Sequence, residues 1–388
     1  MDVTFTPQQQ AFRAELRSWF EANQPTARLD PPYTDRGLAQ HLRWERTLFD
    51  AGYAAPGWPK EVGGLGADVW GQLIYDEEYA RLGLPERVNK MGLIHGGPTI
   101  IAHGTDEQRQ RWLPGILSCD DIWCQGFSEP EAGSDLTSLR TSARRAGDKL
   151  VLNGQKIWTS QGTIASTMFA LVRTNPDLPG SRGLTFVVLD LRAPGVEVRP
   201  LVQLHGHAGF AEVFFTDVEV PIAHVVGAID DGWRVAQTSL ELERGSARGN
   251  HTRLMQSLAG LAQAVRDAGT DTASLQRLGD LHAWAFAYEQ ATYAAADEFS
   301  RGEPDRSFSS IMKLRWSQLQ TAIHEEHLAV LGPAAEVLGD TETADGALLG
   351  RWHRYWHGRA AEIFAGANEI QRNIIAERIL RLPREPRG

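Results

Sequence analysis

KLVLNGQKIWT (149–159), TMFALVRT (167–174), GLTFVVLDL (183–191), GVEVRPLV (195–202) and AEVFFTDVEV (211–220) form five short runs of alternating or β-branched residues, separated by Gly, Pro, Asn and Asp. A period of two marks a strand, whose successive side chains point to opposite faces, and the separating residues are those that turns require. The spacing predicts a β domain over residues 122–227. On its N-terminal side, Phe12, Leu16, Trp19 and Phe20 follow Pro7 at helical spacing, and helical patterns also cover Leu38 to Ala51 and Leu73 to Leu82, with GWPKEVGGLG (57–66) as a loop. On its C-terminal side the helical period returns after Gly232 and runs to Leu382. Breaks are predicted at Gly269 to Thr272, Arg301 to Asp305 and Gly339 to Asp345. The reading is therefore an α+β protein with an N-terminal helical domain (1–121), a central β domain (122–227) and a C-terminal bundle of four-helix type (228–388). This order excludes an alternating βαβ dinucleotide fold, and no GxGxxG follows a strand.

A chain of 388 residues can bury a large cofactor, and 42% hydrophobic with 23% charged residues is the composition of a soluble globular protein. Asp and Glu number 49 against 39 Lys and Arg, a net charge of −10. That balance speaks against a nucleic-acid partner, which needs clustered cations to replace the counterions of phosphates. The two cysteines, Cys119 and Cys124, lack neighbours at metal-ligand spacing, so reduced thiols are expected, with neither a disulfide framework nor a metal site. The first twenty residues lack a signal-peptide pattern and no apolar run approaches the roughly 18 residues of a membrane helix. A cytoplasmic protein with no membrane partner is the expectation.

Two segments carry chemistry. GFSEPEAGSDLTSLRTSA (126–143) sets the hydroxyls of Ser128 and Ser134 among backbone N–H groups near a Gly and a Pro. Such a turn suits the polar edge, carbonyl or phosphate of a ligand, and equally an ordinary cap. In VLNGQKIWTSQG (151–162), strand geometry puts Trp158 and Ser160 on one face and Thr159 on the other, so one face can cover a flat ring while donating to it. The alternative for Trp158 is a core tryptophan between sheet and helices.

Together with IFAGANEIQRNIIAERIL (363–380), HGTDEQRQRWLPGI (103–116) and the 57–66 loop, these segments resemble the acyl-CoA dehydrogenase family over essentially the whole chain. The resemblance implies an FAD enzyme that removes two hydrogens from the α and β carbons of an acyl-CoA. It further implies that Phe127 and Ser128 contact the flavin pyrimidine edge, that Ser134 lies near the pantetheine or FAD phosphates, and that Trp158, Thr159 and Ser160 touch the flavin, which sits between the β domain and the bundle. Most members carry the catalytic glutamate at the position held here by Ala365, before Gly366. A minority place it on the first long helix after the β domain, before an arginine; here SLELERGSAR (239–248) has Glu243 before Arg244. Glu243 is therefore assigned as the base, with a solvated glutamate paired to an arginine as the alternative. Glu241 points about 200° away around a helix. The backbone N–H at Ala365 would still polarise the thioester carbonyl, and Arg244, Ala365 and Gly366 count with Ser134 as substrate contacts.

The chain departs from the family where FAD phosphates are held across an interface. In QRLGDLHA (276–283) and AVLGPAAEVLG (329–339) only Arg277 and Gly332 remain as partial matches, and Ala367 replaces a hydroxyl residue before Asn368 and Glu369. Arg277, Gly332 and Glu369 are kept as FAD contacts. The resemblance implies a homo-oligomer, or a heterotetramer with a related chain, that buries WHRYWH (352–357) and the last helices, with an electron-transfer flavoprotein as acceptor. A branched, aromatic or polycyclic acyl group is favoured because Ala365 frees space. Competing readings are a non-catalytic subunit that completes a partner's site, and an oxidase or monooxygenase on the same fold.

Overall fold

The computed structural model describes residues 4–204, 206, 208–245, 249–269, 271–302, 308–336, 354–356 and 358–383, with the side chains of residues 241–245, 334 and 336 outside that description. Five helices come first: α1 (Pro7–Asn23), α2 (Asp35–Asp50), α3 (Val69–Arg81), α4 (Gly97–His103) and α5 (Asp106–Ser118). Eight strands follow: β1 (Trp123–Gly126), β2 (Ser142–Ala146), β3 (Lys149–Ser160), β4 (Thr167–Arg173), β5 (Leu184–Asp190), β6 (Val196–Leu201), β7 (Phe210–Pro221) and β8 (Val225–Val226). The helices α6 (Gly232–Gly245), α7 (Asn250–Asp267), α8 (Thr272–Ser300), α9 (Phe308–Leu331) and α10 (Asn368–Ile374) follow, with short 3-10 and π-helical turns between the named elements. The chain folds as two compact units that interleave along the sequence. One comprises Met1–Ala22, Asp68–Leu84 and Arg244–Gly388, the other Asn23–Ala67 and Pro85–Glu243.

The second unit holds the sheet, ordered β6-β7-β3-β2-β4-β5-β8, with β1 added in parallel to β4. Its main ladders, β3 with β7, β4 with β5, and β6 with β7, are antiparallel, as expected for strands joined by short turns. In β4 and β5 the alternation sorts apolar residues onto two covered faces. Phe169, Leu171, Phe186 and Val188 join Trp58, Ile100, Trp112, Trp123 and Phe127 in one core. Met168, Ala170, Val172, Val187 and Leu189 join Leu150, Leu152, Val213 and Phe215 in the other. Both faces being buried, β4 reads as a nearly continuous apolar run. Cys119 and Cys124 are buried free thiols, and burial pushes both up from the usual thiol range.

In the first unit, α7, α8 and α9 pack side by side around Leu254, Leu258, Leu261, Tyr288 and Ile323, and α3 packs on α7 and α8. Glu77 on α3 accepts from Arg13 Nη2 at 2.6 Å, His251 Nε2 at 2.9 Å and Tyr293 OH at 3.0 Å. Burial pushes its neighbour Glu78 up, but hydrogen bonds from Arg17, Arg81 and Arg13 outweigh this and hold the carboxyl down at about 2. Chain breaks fall at 268–271 and after Ser300 as expected, while the break at Gly339 to Asp345 lies outside the described residues. One break was not anticipated: α6 stops at Gly245 and α7 starts at Asn250, where Gly245 and Gly249 weaken the helix. Among the described residues no helix is long and apolar enough to cross a membrane.

Candidate active site

In the second unit the candidate residues lie on and next to β1 and β3. Beyond β1 the Phe127 ring is buried edge-on to Phe169 and Phe186, at 5.7 and 6.1 Å between centroids, so only its backbone is left for a ligand. The Phe127 carbonyl accepts from Lys156 Nζ at 3.2 Å and the Ser128 carbonyl from the Ile157 N–H at 3.0 Å. Ser128 is half-buried and Ser134 exposed on the following turn. The segment is locked to β3 by an ion pair that the sequence reading did not single out: fully buried Lys156 donates to Glu129 Oε1 at 2.8 Å. Glu129 also accepts from the N–H groups of Arg140 at 2.6 Å and Thr141 at 2.9 Å. Burial pushes the Glu129 carboxyl up, yet the Lys156 charge and these donors hold it below the usual range, while burial brings the Lys156 ammonium down to about 8 against the pull of Glu129. Its signal was present in the sequence, since Lys156 shares the parity of buried Leu150 and Leu152 along β3.

Two residues further on, β3 changes register against β7 between Lys156 and Thr159, so one extra residue is accommodated. Trp158 absorbs it with a φ of 57°. A bulge of this kind re-aims side chains. Without it Trp158 would continue the buried face of Lys156; with it the indole is 58% exposed, edge-on to Phe210 at 6.0 Å, and Thr159 is turned fully inward. Thr159 Oγ1 is buried with no hydrogen-bond partner among the described residues. Ser160 is half-buried. Trp158 and Thr159 thus lie on opposite sides, as the strand pattern predicts, and Trp158 is an outward ring rather than a core tryptophan.

In the first unit the candidate residues include the turn before α10. Ala365 and Gly366 both adopt left-handed backbone, φ 54° and 81°, which for an alanine costs about 1–2 kcal/mol. Gln371 Nε2 donates to both of their carbonyls, at 3.0 and 3.1 Å. Buried Asn368 closes the turn: its N–H donates to the Glu362 carbonyl at 2.8 Å, and its Oδ1 accepts from Lys313 Nζ at 2.9 Å and Ser317 Oγ at 3.0 Å, both on α9. Sequence reading missed Gln371, Asn368 and Lys313; nothing local marks them, because their contacts span a loop and a distant helix. Glu369 is exposed and pairs with Arg372 at 3.1 Å. Arg277 pairs with Glu326 at 2.6 Å and lines a cleft of about 280 Å³ with Asp271, Ser274 and Ala329, while Gly332 opens the short helical turn Gly332–Glu336. Glu243 and Arg244 fall in the last turn of α6; their side chains, like that of Glu241, lie outside the described residues.

Compared with known proteins, the sequence matches the acyl-CoA dehydrogenase N-terminal domain over residues 6–120, the middle domain over 124–218 and the C-terminal domain over 230–380. It is 38% identical to the acyl-CoA dehydrogenase IpdE1 of Mycobacterium tuberculosis, covering 97% of this chain and 98% of that protein. Among solved structures, the Tcur3481-Tcur3483 steroid ACAD matches with a TM-score of 0.86 at 27% identity, over 99% of this chain and 100% of the other. The ChsE4-ChsE5 complex from Mycobacterium tuberculosis matches with a TM-score of 0.83 at 30% identity, again over 99% and 100%.

Proposed function

The chain belongs to the acyl-CoA dehydrogenase family, and we propose that it is a catalytic member that binds FAD and converts a branched or bulky acyl-CoA to the trans-2-enoyl-CoA, with electrons leaving to an electron-transfer flavoprotein. The observation that carries this reading is the end of β3, where an outward indole stands beside a sealed hydroxyl that has no partner. Buried polar groups are almost always hydrogen-bonded, so an orphan of this kind points to a missing ligand atom. A flat heteroaromatic ring fits the outward indole, and with the family membership the residues suit a flavin: Trp158 against the ring, Ser160 at its polar edge, the Phe127 backbone and Ser128 at the pyrimidine side, and Thr159 a further contact from the inward side of the strand. When bound, FAD supplies the acceptor for the β hydrogen and its electron pair.

The remaining work belongs to the chain. Glu243 in α6 takes the α proton on a carboxylate oxygen, and Arg244 and Ser134 hold the CoA portion. The α carbon is a weak acid, so the thioester oxygen needs a donor where enolate charge develops. The Ala365 N–H, presented by the left-handed turn with Gly366, is that donor. Having only a methyl group at Ala365 leaves room for a bulky acyl chain, and the steroid designation of a close structural neighbour supports a polycyclic one. The three segments 1–121, 122–227 and 228–388 act as the functional divisions of a cytoplasmic enzyme.

Exposed Trp284 and Phe286 on α8, at 55% and 57%, support an oligomer, either of identical chains or as a heterotetramer. The engagement of Arg277 by Glu326 weakens it as a phosphate ligand and, with Glu369 and Gly332 as the other candidate FAD contacts, supports the heteromeric option. A second reading, a half-site subunit completing a related partner, is favoured by the absence of a carboxylate at Ala365. Expression alone and with a related chain separates the two: bound flavin that bleaches anaerobically with a branched or polycyclic acyl-CoA supports the enzyme. A preparation that binds flavin only through its partner, and bleaches equally after Glu243→Gln, supports the subunit.

A further inference from the structure

The turn at Ala365 and Gly366 is held from inside by one side chain. Gln371 is 1% exposed, and both hydrogens of its Nε2 are spent on the carbonyls of Ala365 and Gly366, at 3.0 and 3.1 Å. This fixes the orientation of the amide, because reversing it would face an oxygen to two oxygens, and leaves Gln371 Oε1 buried without a partner among the described residues. A trans peptide points its N–H opposite to its C=O. Drawing these two carbonyls toward Gln371 therefore turns the N–H groups of Gly366 and Ala367 the other way and fixes the backbone angles of Ala365. Consecutive backbone N–H groups displayed by a left-handed turn make a concavity for negative charge. The fit is mutual: a Cβ on Gly366 would stand 2.5 Å from Gln371 Nε2. Asn368 and Lys313 brace the outer end of the same loop through the Glu362 carbonyl.

We infer that Gln371 is a positioning residue for the dehydrogenation: by clamping the Ala365 and Gly366 carbonyls it holds Ala365 in its left-handed conformation, and through it the Ala365 N–H that is to meet the thioester oxygen. The inference rests on the dehydrogenase reading and adds to it the side chain that keeps the oxyanion donor in place. It also accounts for a left-handed alanine persisting where its backbone is strained, since strain is maintained only where surroundings over-determine it.

The test uses the flavin-loaded protein with an aryl-acryloyl-CoA, a product-type thioester whose absorption moves to longer wavelength when its carbonyl is polarised. Gln371→Met keeps length and burial but removes the donors. It is expected to lose most of that spectral shift and to lower kcat about 10- to 100-fold, below the 10²–10³ seen on deleting an oxyanion donor outright, while KM moves less than about threefold. Arg372→Ala, on the exposed side of the same short helix, should leave both readings at the wild-type value. Gly366→Ala should reproduce the Gln371→Met phenotype by pushing the amide away, and it decides the matter should Gln371→Met not fold. A Gln371→Met protein with the full spectral shift and wild-type kcat overturns the inference. A wild type that gives neither shift nor turnover overturns the dehydrogenase reading, and this inference with it.

Discussion

Replacing Glu129 by Gln tests how the segment after β1 is held. In the native protein the fully buried Lys156 ammonium has Glu129 Oε1 at 2.8 Å and the Phe127 carbonyl at 3.2 Å as its partners. Removing one member of a buried pair leaves an uncompensated charge and costs about 3–5 kcal/mol. The glutamine keeps an oxygen for the N–H groups of Arg140 and Thr141, so the loss falls mainly on Lys156. For a cooperative unit of roughly 200 residues each kcal/mol shifts Tm by about 2–4 °C, giving an expected drop of about 6–20 °C. Lys156→Met should cost less, because Glu129 retains those two N–H donors. The pH dependence has a definite sign. The folded Lys156 pKa, about 8, lies below its usual 10.5, so its charged form is disfavoured by folding and that penalty is relieved as pH rises through the folded value. Without Glu129 the folded value falls further and relief begins at lower pH. Thermal melts followed by circular dichroism should therefore show the gap between Glu129→Gln and wild type widest near pH 6 and closing toward pH 8. A gap under about 1 kcal/mol, flat across that window, would refute the reasoning.

Glu243→Gln should leave flavin bound while slowing acyl-CoA reduction by about 10²–10⁴, the usual contribution of a catalytic base, whereas Glu241→Gln changes little; stopped-flow bleaching reads both. Thr159→Val removes the unpartnered hydroxyl at constant shape, so titration should show FAD binding roughly 3- to 10-fold weaker, the worth of about 0.5–1.5 kcal/mol, with the flavin-free Tm unchanged or raised. Glu78 has a folded pKa of about 2, below its usual 4.5; the stability this confers is complete above pH 4.5 and is lost as pH falls toward 2. Urea melts should show Glu78→Gln less stable at pH 7 and with a shallower acid loss than wild type.

Strands β3 to β7 were legible because each carries its own alternation or apolar run, β4 nearly continuously because both its faces are covered, whereas the short β1, β2 and β8 were not read as strands. That Trp158 and Thr159 point to opposite sides was legible for the same local reason, but which of them faces out was not. The bulge that puts them there was not, since an extra residue becomes visible only against the partner strand. Lys156 could have been found by extending the parity of Leu150 and Leu152, a charged residue at a buried strand position that requires a counter-ion. Gln371 carries no such mark: its partners are carbonyls, and every residue has one. The α6 to α7 break was missed because an uninterrupted helical period was read through Gly245 and Gly249.

The interleaving of the two units sets an order of events on the ribosome. Every residue of the sheet-bearing unit, Asn23–Ala67 with Pro85–Glu243, has been made before α7 begins, whereas the other unit draws on both ends of the chain. At about 5–20 residues per second, roughly ten to thirty seconds separate the end of α3 from the arrival of His251. Of the folded-state partners of Glu77 and Glu78, Arg13, Arg17 and Arg81 have been made by the end of α3, while His251 and Tyr293 have not. The ion pairs of α1 and α3 can therefore form before the rest of their unit exists, and those with α7 and α8 must be added to them afterwards.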